Sequence, residues 1–570
     1  MRLGTSKSKN ATSLYVIKST YINGKNSSKI VEKLGTYDEL KEKLNGQDPF
    51  EWAKQYIKEL NQKEKEEKRD IMVKYSESKT IPKGEQRFFN GGYLFLQKIY
   101  HDLGLQKICK EISKRHKFTY NLDSILSRLI YGRIIFPASK LATHELSKDF
   151  IEQPNFQLHH IYRALEVISE ETDFIQSELY KNSLKISKRN TGILYYDCTN
   201  YFFEIEQEAG LKQYGVSKEH RPSPIVQMGL FMDGDGIPLA FSINKGNTNE
   251  QLTLKPLEEK ILSDFDLSKF VVCTDAGLAS NENRKFNSKQ ERAFITTQSI
   301  KKLKEHLRVF ALDPKGWYLA GETQTYDLTN LDETKYKDKI FYKERWIKEN
   351  GLEQRLIVTY SLKYRDYQRK IRNSQIERAQ HVVNKAPGKL KKTHQNDYKR
   401  FIAKMHVTPD GEVAAKELYS IDKAVISKEE AFDGFYAVCT NLEDNASSII
   451  KVNQRRWEIE ECFRIMKSEF KARPVYLSRD DRIKAHFTTC FISLIIYRFL
   501  EKKLGPKYTC HEIIKGLRDM NFYGVKGEGY IPTYTRTDFT DDLHDAFGFR
   551  TDYEIVNTRH MKNILKSIKQ

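Results

Sequence analysis

Two aspartates stand where a buried charge needs a partner, at the ends of two strongly apolar stretches of the chain. Asp197 ends the run ILYYD and Asp275 ends the run VVCTD, and both runs have the composition of buried strands. A buried, unpaired carboxylate costs several kcal/mol, and neither run supplies a basic partner nearby in sequence. One such aspartate is readily explained as a strand-end residue that accepts loop N–H bonds. Two in the same context favour a pair of metal ligands.

A third carboxylate, Glu460, lies in the stretch 447–470, whose apolar spacing predicts one continuous helix. One stripe of this helix contains Asn453, Arg456, Glu460, Phe463 and Lys467. The adjoining apolar arc contains Val452, Ile459, Cys462, Met466 and Phe470. Packing this arc on a sheet would leave Glu460 at the edge of the buried face. Glu461 points about 100° away from the stripe, so Glu460 is the predicted site residue. An ordinary amphipathic helix with i,i+4 ion pairs explains the stripe equally well by itself.

Taken together, two strand-end aspartates and a helical glutamate between cations suit two-metal phosphoryl transfer. Carboxylate oxygens are the ligands that Mg²⁺ prefers, with Mn²⁺ as a substitute. Two such ions activate the attacking oxygen and stabilise the leaving oxygen of a phosphodiester. Arg456 and Lys467 would then hold the DNA backbone, the arginine as a bidentate fork and the lysine as a point charge.

The elements that must position these carboxylates form a mixed α/β pattern from Thr191 onward. The segments TGILYYDCTNYFFE and PIVQMGLFMDGDGIPLAFSI predict three strands, with DGDG at 233–236 as a tight turn. A calcium loop would need later ligand positions that the sequence lacks. NEQLTLKPLEEKIL then predicts a helix with Pro256 near its start, and KFVVCTDAG a further strand. Three strands, a helix and a strand predict a mixed α/β sheet.

Three other regions surround this pattern. Residues 14–35 predict a hairpin with an Asn23-Gly24 turn, and a charge run at 63–69 is interpreted as a linker. Residues 88–190 have helical spacing, either to bind DNA or to support the catalytic region. Residues 301–432 combine short strands with a long basic helix at 363–384 and are typical of an insertion. The predicted domains are 1–75 (hairpin and charged helix), 76–190 (helical, DNA-binding), 191–300 (first part of the core), 301–440 (insertion), 441–505 (second part of the core) and 506–570 (C-terminal region, with dimerisation as its expected role).

Composition narrows the functional class. The 570 residues carry a net charge of +19, which favours a polyanionic partner such as nucleic acid over a small-molecule substrate. An inert basic surface is the alternative. The seven cysteines are scattered without zinc-ligand spacing, which argues against zinc chemistry and for reduced thiols in the cytoplasm. No signal peptide is predicted, and the longest apolar run, 490–500, is too short to span a bilayer.

The chain resembles the DDE transposases of bacterial insertion sequences, in the branch whose last catalytic helix carries a Y-x2-R-x3-E-x6-K signature. Arg456, Glu460 and Lys467 match the last three signature positions, within RWEIEECFRIMKSEFKARPVY. YYDCTNYFFE and VVCTDAGLAS resemble the two aspartate strands, and YGVSKEHRPSPIVQMGLFMDGDGIPLAF resembles the stretch after the first. The resemblance covers about residues 190–500 well and the N-terminal third loosely.

This resemblance implies an RNase H-like core, interrupted between Asp275 and Glu460 by a β-rich insertion, with helical N-terminal and C-terminal regions. It also implies cleavage and strand transfer in one metal-dependent site, acting on double-stranded transposon ends and target DNA within a homodimer. The signature tyrosine is replaced by Asn453, which removes a phenolic contact to DNA.

The sequence leaves the role of two further residues undecided, and it is compatible with two other functions. His220 and Arg221 lie in a polar loop that either contacts DNA or is simply solvated. A catalytically inactive or domesticated DNA-binding relative would keep the basic surface without turnover. An RNase H-like nuclease would cut DNA without joining it, and an assay for joined products separates that function from transposition.

Overall fold

The computed structural model describes residues 1–8, 11–22, 25–44, 46–67, 71, 73, 75–385, 397–406 and 417–570. Two compact units divide these residues. The first consists of Met1–Gln86 with Val525–Glu528, and the second of Arg87–Gly524 with Gly529–Gln570. The predicted Asn23-Gly24 turn and the last two residues of the predicted charge run, 68 and 69, lie outside the described residues.

The first unit is a three-stranded antiparallel sheet with two helices. Its strands are β1 (Arg2–Lys7), β2 (Thr12–Ile22) and β3 (Lys25–Thr36), in that spatial order. The strands β2 and β3 match the predicted hairpin, whereas β1 was not predicted. Helix α1 (Tyr37–Lys43) begins with a capping box between Thr36 and Glu39, and α2 (Pro49–Glu67) follows. Leu14, Leu40 and Ala53 form the centre of the small core.

Helices open the second unit, as the apolar spacing of residues 88–190 predicts. After strand β4 (Phe88–Asn90) come α3 (Tyr93–Asp102), α4 (Leu105–Arg115), α5 (Leu122–Ile135), α6 (Lys140–Leu146), α7 (Leu158–Glu170) and α8 (Thr172–Ile186). They gather around a later helix, α16 (Asp480–Leu504), which packs against α3, α5 and α7. By length and composition α16 is apolar enough to cross a membrane, but 89% of its most apolar window is buried inside the protein. Its apolar character is therefore that of a core helix.

A nine-stranded mixed sheet forms the centre of the second unit and confirms the predicted mixed α/β class. Its strands are β5 (Ile193–Phe202), β6 (Ile225–Asp233), β7 (Pro238–Lys245), β8 (Val271–Thr274), β9 (Ala293–Thr297), β10 (Tyr318–Leu319), β11 (Phe341–Glu349), β12 (Leu352–Tyr360) and β15 (Phe435–Thr440). The spatial order is β10-β11-β12-β15-β9-β8-β5-β6-β7. Strands β5, β6 and β7 pair antiparallel, whereas β5, β8 and β9 pair parallel.

The hairpin turn at 233–236 is set by a buried ion pair. Arg189 donates to Asp233 at 2.6 Å, and the other carboxylate oxygen of Asp233 accepts from the backbone N–H of Asp235 and Ile237. Gly236 adopts a φ of +79°, which favours glycine. Between β7 and β8, helix α9 (Leu254–Asp264) has Pro256 near its start, as predicted. α10 (Asn281–Phe286) then connects β8 to β9.

The region 301–440 extends the central sheet. Strands β10, β11, β12 and β15 continue it beyond β9 over a second apolar cluster that includes Trp317. The remaining elements are α11 (Glu305–Leu312), α12 (Leu362–Asn384), β13 (Ile402–His406), β14 (Glu417–Ile421) and α13 (Lys423–Glu430). The basic helix expected at 363–384 is α12.

The chain ends in a small α/β layer. α17 (Cys510–Asp519), β16 (Asn521–Val525), β17 (Gly529–Pro532), α18 (Asp538–Phe547), β18 (Val556–Asn557) and α19 (Thr558–Ile568) follow α16. The sheet order β18-β17-β16-β4 joins the C-terminal strands to the strand that precedes α3. All seven cysteines lie in the described residues; each is buried, and none forms a disulfide bond.

Candidate active site

Asp197 lies in the middle of β5 and Asp275 directly follows β8, the neighbouring strand. The strand end predicted for Asp197 is therefore wrong, because β5 continues to Phe202 in its pairing with β6. β5 and β8 run parallel, and Tyr195 is paired with Cys273. Asp197 and Asp275 each lie two residues further along, so alternation places both carboxylates on the same face. The parallel pairing of two apolar strands therefore brings together two charges that are 78 residues apart in sequence.

Asp197 is a carboxyl group in an unfavourable place for a charge. The pKa of Asp197 is raised to about 6, chiefly by burial and also by the nearby carboxylate of Asp275, against the lowering effects of Lys218, the Cys198 N–H and Arg456. The Cys198 backbone N–H donates to its Oδ1 at 2.8 Å. Desolvation and like-charge repulsion thus outweigh the favourable contacts, and a bound cation would relieve both.

Asp275 lies just after β8 and is anchored by the loop that follows. Its Oδ1 accepts the backbone N–H of Leu278 at 3.0 Å. A Cβ added at Gly277 would lie 3.3 Å from the same oxygen, which is a tight contact. Glycine at position 277 therefore lets the loop approach the Asp275 carboxylate closely. The second carboxylate oxygen, Oδ2, takes no part in this turn.

The predicted single helix at 447–470 is wrong: the chain is divided into α14 (Ala446–Gln454), α15 (Trp457–Arg464) and a π-helical segment, Ile465–Glu469. Between α14 and α15, backbone N–H groups bond three residues back, for example Arg456 to Asn453 at 3.2 Å. In the π segment, Phe470 bonds five residues back to Ile465 at 3.0 Å. A tightened turn followed by a widened one alters the angular spacing on which the predicted stripe depends.

The predicted stripe is consequently split between buried and exposed positions. Phe463 is buried, whereas the Glu460 side chain is 65% exposed. The closest charged partner of Glu460 is Arg456, with 3.9 Å between Nη2 and Oε1. Helix α14 packs on β9 and α15 packs on β5, so the segment still crosses the strands that carry or flank the aspartates.

Glu461, the neighbouring carboxylate, is occupied by a partner of its own. Arg464 Nε donates to it at 2.6 Å, and this bond lowers the pKa of the Glu461 carboxyl. Glu458 is similarly held by Arg455 at 2.8 Å. Of the three glutamates in α15, Glu460 alone has only a long ion pair.

A hydrogen-bonded network fixes Arg456 and Asn453 above the end of β9. Arg456 Nη1 donates to Thr297 Oγ1 at 3.0 Å, and Thr297 Oγ1 lies 2.6 Å from the hydroxyl of Tyr436. Asn453 Nδ2 donates to the same hydroxyl at 3.1 Å. Sequence reasoning missed Thr297 and Tyr436, because they reach the site only through the pairing of β9 with β15. No local pattern marks either residue.

Lys467 approaches the aspartates from the other end of the segment. Its Nζ donates to Thr199 Oγ1 at 2.6 Å and lies 3.7 Å from Glu219. The pKa of Lys467 is lowered to about 8, chiefly by burial and also by the charge of Lys218, while Asp197 opposes the shift. Lys467 is thus a partly desolvated cation facing the first aspartate.

The loop 217–221 supplies a cation that sequence reasoning missed. Lys218 donates to the Cys198 carbonyl and forms a 3.2 Å ion pair with Glu250, and it is the strongest favourable charge acting on Asp197. His220, a predicted DNA contact, is exposed with a φ of +55°. Arg221 is exposed and stacks 4.2 Å from the Phe202 ring centroid. The only feature of the sequence that indicates Lys218 is its position in the same polar loop as His220 and Arg221.

The donor chemistry of this part of the sheet fits a divalent cation in part. Asp197 and Asp275 supply hard oxygens, and Asp197 is destabilised as a charge in the way that a cation would correct. Glu460 does not join them here: within the described residues, no three His, Cys, Asp or Glu side chains lie close enough together to hold one ion. Two of the three predicted ligands are therefore assembled.

Comparisons with known proteins identify the family of the chain. The comparison with curated proteins gives no match. A cryo-EM structure of the piggyBac transposase synaptic complex with hairpin DNA is similar at 8% identity and a TM-score of 0.36, over 84% of each chain, a level that adds no argument about fold. A family model described as the transposase DDE domain matches residues 202–496. That range includes Asp275 and Glu460, begins just after Asp197, and spans more than half of the 570 residues. The chain therefore belongs to the transposase DDE domain family.

Proposed function

We propose that this chain is a DNA transposase that cuts transposon ends and joins them to target DNA at one metal-dependent site. The observation that carries the proposal is the convergence of four side chains: Asp197 and Asp275 from the neighbouring strands β5 and β8, with Arg456 and Lys467 presented by the segment that crosses the sheet. Carboxylates beside cations suit a substrate that is itself a polyanion and reacts through a metal.

The central strands support an RNase H-like core as part of this proposal. Strands β7, β6 and β5 run antiparallel and are followed by β8 and β9 parallel to β5. We assign these five strands to the core and the residues from 301 to 440 to an insertion between Asp275 and Glu460. The assignment explains why the catalytic segment follows Asp275 by 185 residues in sequence.

Asp197, Asp275 and Glu460 are proposed to hold Mg²⁺, with Mn²⁺ as a substitute. A bound divalent cation lowers the pKa of an attacking water or 3′-hydroxyl and stabilises the leaving oxygen. Arg456, whose guanidinium is fixed by Thr297, would hold a phosphate through its remaining N–H groups. Lys467, fixed by Thr199, would neutralise the backbone next to Asp197.

We propose that the ion pair with Arg456 keeps Glu460 apart from the aspartates when no DNA is bound. In the free protein, Arg456 Nη2 lies 3.9 Å from Glu460 Oε1. A DNA phosphate is a stronger partner for the guanidinium than this exposed carboxylate. We therefore propose that DNA binding at Arg456 releases Glu460 toward the aspartates. We also propose that the substrate is double-stranded DNA and that two copies of the chain hold two transposon ends together during the reaction.

The test is an end-cleavage assay. Purified protein is incubated with Mg²⁺ or Mn²⁺ and a labelled duplex that carries its own element's end, beside the Glu460→Ala variant. The proposal expects nicked and joined products from the wild type alone. Nicked products that are never joined indicate a nuclease instead. Binding without cleavage in either metal ion would overturn the proposal.

One alternative function has a specific observation in its favour. Asn453 stands in the place of the signature tyrosine, and Glu460 lies apart from the aspartates. A catalytically inactive DNA-binding relative accounts for both features. A metal titration separates the two functions: Mg²⁺ raises the melting temperature of a DNA-bound transposase but not of its Asp275→Asn variant, whereas an inactive relative shows no shift in either.

A further inference from the structure

Glu219, the acidic residue of the loop 217–221, lies among three cations. Its carboxylate forms an ion pair with Arg473, lies 3.7 Å from Lys467 Nζ and lies 3.9 Å from Arg221 Nε. Within the described part of the chain, none of these three cations forms an ion pair with another carboxylate. One negative charge against three positive charges leaves the cluster with a surplus of two.

The three cations are also held by contacts with β5 that do not involve Glu219. Phe202 is the last residue of this strand, and Arg221 Cζ lies 4.2 Å and Arg473 Cζ 5.9 Å from the centroid of its ring. The Val475 backbone N–H donates to the Phe202 carbonyl at 3.2 Å, which fixes the chain after Arg473 beside the strand. Lys467 is held by its hydrogen bond to Thr199 of β5. The cations therefore have anchors other than the carboxylate.

The loop that carries Glu219 is anchored through its backbone. Asn200 of β5 is buried, its Nδ2 donates to the Val216 carbonyl at 3.0 Å, and its Oδ1 accepts the Lys218 backbone N–H at 3.3 Å. Ser217 Oγ accepts the backbone N–H of Glu219 at 3.3 Å. These bonds engage the chain around Glu219 but not its carboxylate. The side chain can therefore turn away from the cations while the loop stays in place.

We infer that Glu219 holds the place of a DNA phosphate in the free protein and that the duplex displaces it from Lys467, Arg473 and Arg221. A carboxylate and a phosphodiester both present two oxygens that share one negative charge, and arginine and lysine bind either group. Exchanging one for the other therefore leaves the charge of the cluster unchanged. The inference rests on the proposed function and adds a regulatory residue to its site.

This arrangement selects a polyanion over a small anion. Glu219 belongs to the same chain as the cations, so its effective concentration at the cluster is high. A single dissolved anion has to compete with it unaided. A duplex gains affinity at many phosphates at once and releases counterions from each, so it can displace the carboxylate. Glu219 thus keeps the cluster closed to small anions.

The test is duplex binding by the full chain in EDTA, where neither a metal ion nor cleavage contributes. Glu219→Gln keeps the shape of the side chain and removes its charge. Glu206→Gln, at an exposed position in the same connection between β5 and β6, removes an equal charge elsewhere. Glu219→Gln should raise duplex affinity at least about fivefold, and Glu206→Gln should stay within about twofold of wild type. Glu219→Asp, which draws the charge back by one methylene, should give a smaller gain.

Inorganic phosphate tests the cluster without DNA. It should raise the melting temperature of Glu219→Gln above that in chloride of equal ionic strength. Wild type and Glu206→Gln should show no such rise. Adding Arg473→Gln to Glu219→Gln should abolish the rise and most of the gain in duplex affinity, because a cation of the cluster is then missing.

Two results would overturn the inference and leave the proposed function intact. If Glu219 only keeps the cations in position, Glu219→Gln and Glu219→Asp bind the duplex no better than wild type. If any lost carboxylate favours DNA, Glu219→Gln and Glu206→Gln gain affinity equally. The end-cleavage assay reports on the proposed function separately. A wild-type chain and variants that all bind no duplex would overturn both proposals.

Discussion

The hydroxyl of Tyr436 lies 3.1 Å from the amide nitrogen of Asn453, with Thr297 Oγ1 on its other side at 2.6 Å. A phenol from β15 is therefore held next to Asn453, which stands at the tyrosine position of the signature that the sequence resembles. Because Thr297 also accepts from Arg456, the phenol and the guanidinium are parts of one network. A tyrosine from elsewhere in the fold thus lies beside this asparagine.

Tyr436→Phe should impair catalysis without unfolding the protein. Removing the hydroxyl breaks two hydrogen bonds, each worth about 1 kcal/mol, so the rate of end cleavage should fall by a factor of about 5–30. Tyr367→Phe, which removes a hydroxyl from an exposed side chain of α12, is the matched control. Adding Thr297→Val should cost little more, since both changes disrupt one network. Fully additive losses would show that the two residues act separately.

Asp197 should make the metal-free protein less stable as the pH rises. Its folded-state pKa of about 6 lies above the ordinary value of 3.8, so the folded protein binds the proton more tightly. The stabilisation is fully present below pH ~4 and is lost as the pH rises through 6. With EDTA at pH 7, Asp197→Asn should therefore be more stable than wild type by roughly 2–3 kcal/mol. At pH 4 the two should be equal.

Urea unfolding at the two pH values measures this difference. Asp266→Asn is the control, because this exposed aspartate has a positive φ that asparagine tolerates. A variant that is destabilised at pH 7 in EDTA would mean that the Asp197 carboxylate is well paired without a metal ion.

Substitutions of the adjacent residues Glu460 and Glu461 should have different effects on DNA cleavage. Glu460→Gln should reduce metal-dependent cleavage more than about a hundredfold, because it removes a proposed ligand. Glu461→Gln should leave cleavage within a few-fold of wild type, since Glu461 is held by Arg464. Single-turnover cleavage with saturating DNA measures both. The reverse result would assign the metal to Glu461.

Lys467 should give DNA binding a pH dependence above neutrality. Burial, with the charge of Lys218 next, lowers its pKa to about 8, so the ammonium is charged at pH 7 and loses its proton as the pH rises through 8. Duplex affinity at fixed salt should therefore fall between pH 7 and 9. Lys467→Arg stays charged and should be insensitive over this window. Lys467→Met should lower the salt slope by about one, and an equally steep pH profile in Lys467→Arg would assign the titration to another group.

The parts of the site that the sequence predicts are those with local patterns. Apolar runs ending in Asp197 and Asp275 predict buried strands, whereas the parallel pairing of β5 with β8 has no local signal in the sequence. The residues that sequence reasoning missed have no such pattern. Thr297 and Arg456 are 159 residues apart, and they meet because β9 lies beside β15 under α14. The turn between α14 and α15 also has no local signal in the sequence, because the residues of each helix keep ordinary helical spacing.

Strand β15 has two neighbours, and this fact limits what can be removed from the protein. It pairs with β12 on one side and with β9 on the other, and the chain then runs directly into α14. Cutting out residues 301–434 would therefore remove one partner of β15 and expose a row of unpaired N–H and C=O groups two strands away from β8. A shortened protein would need a new cover for that edge, so the extra strands are an integral part of the central sheet and not a removable domain.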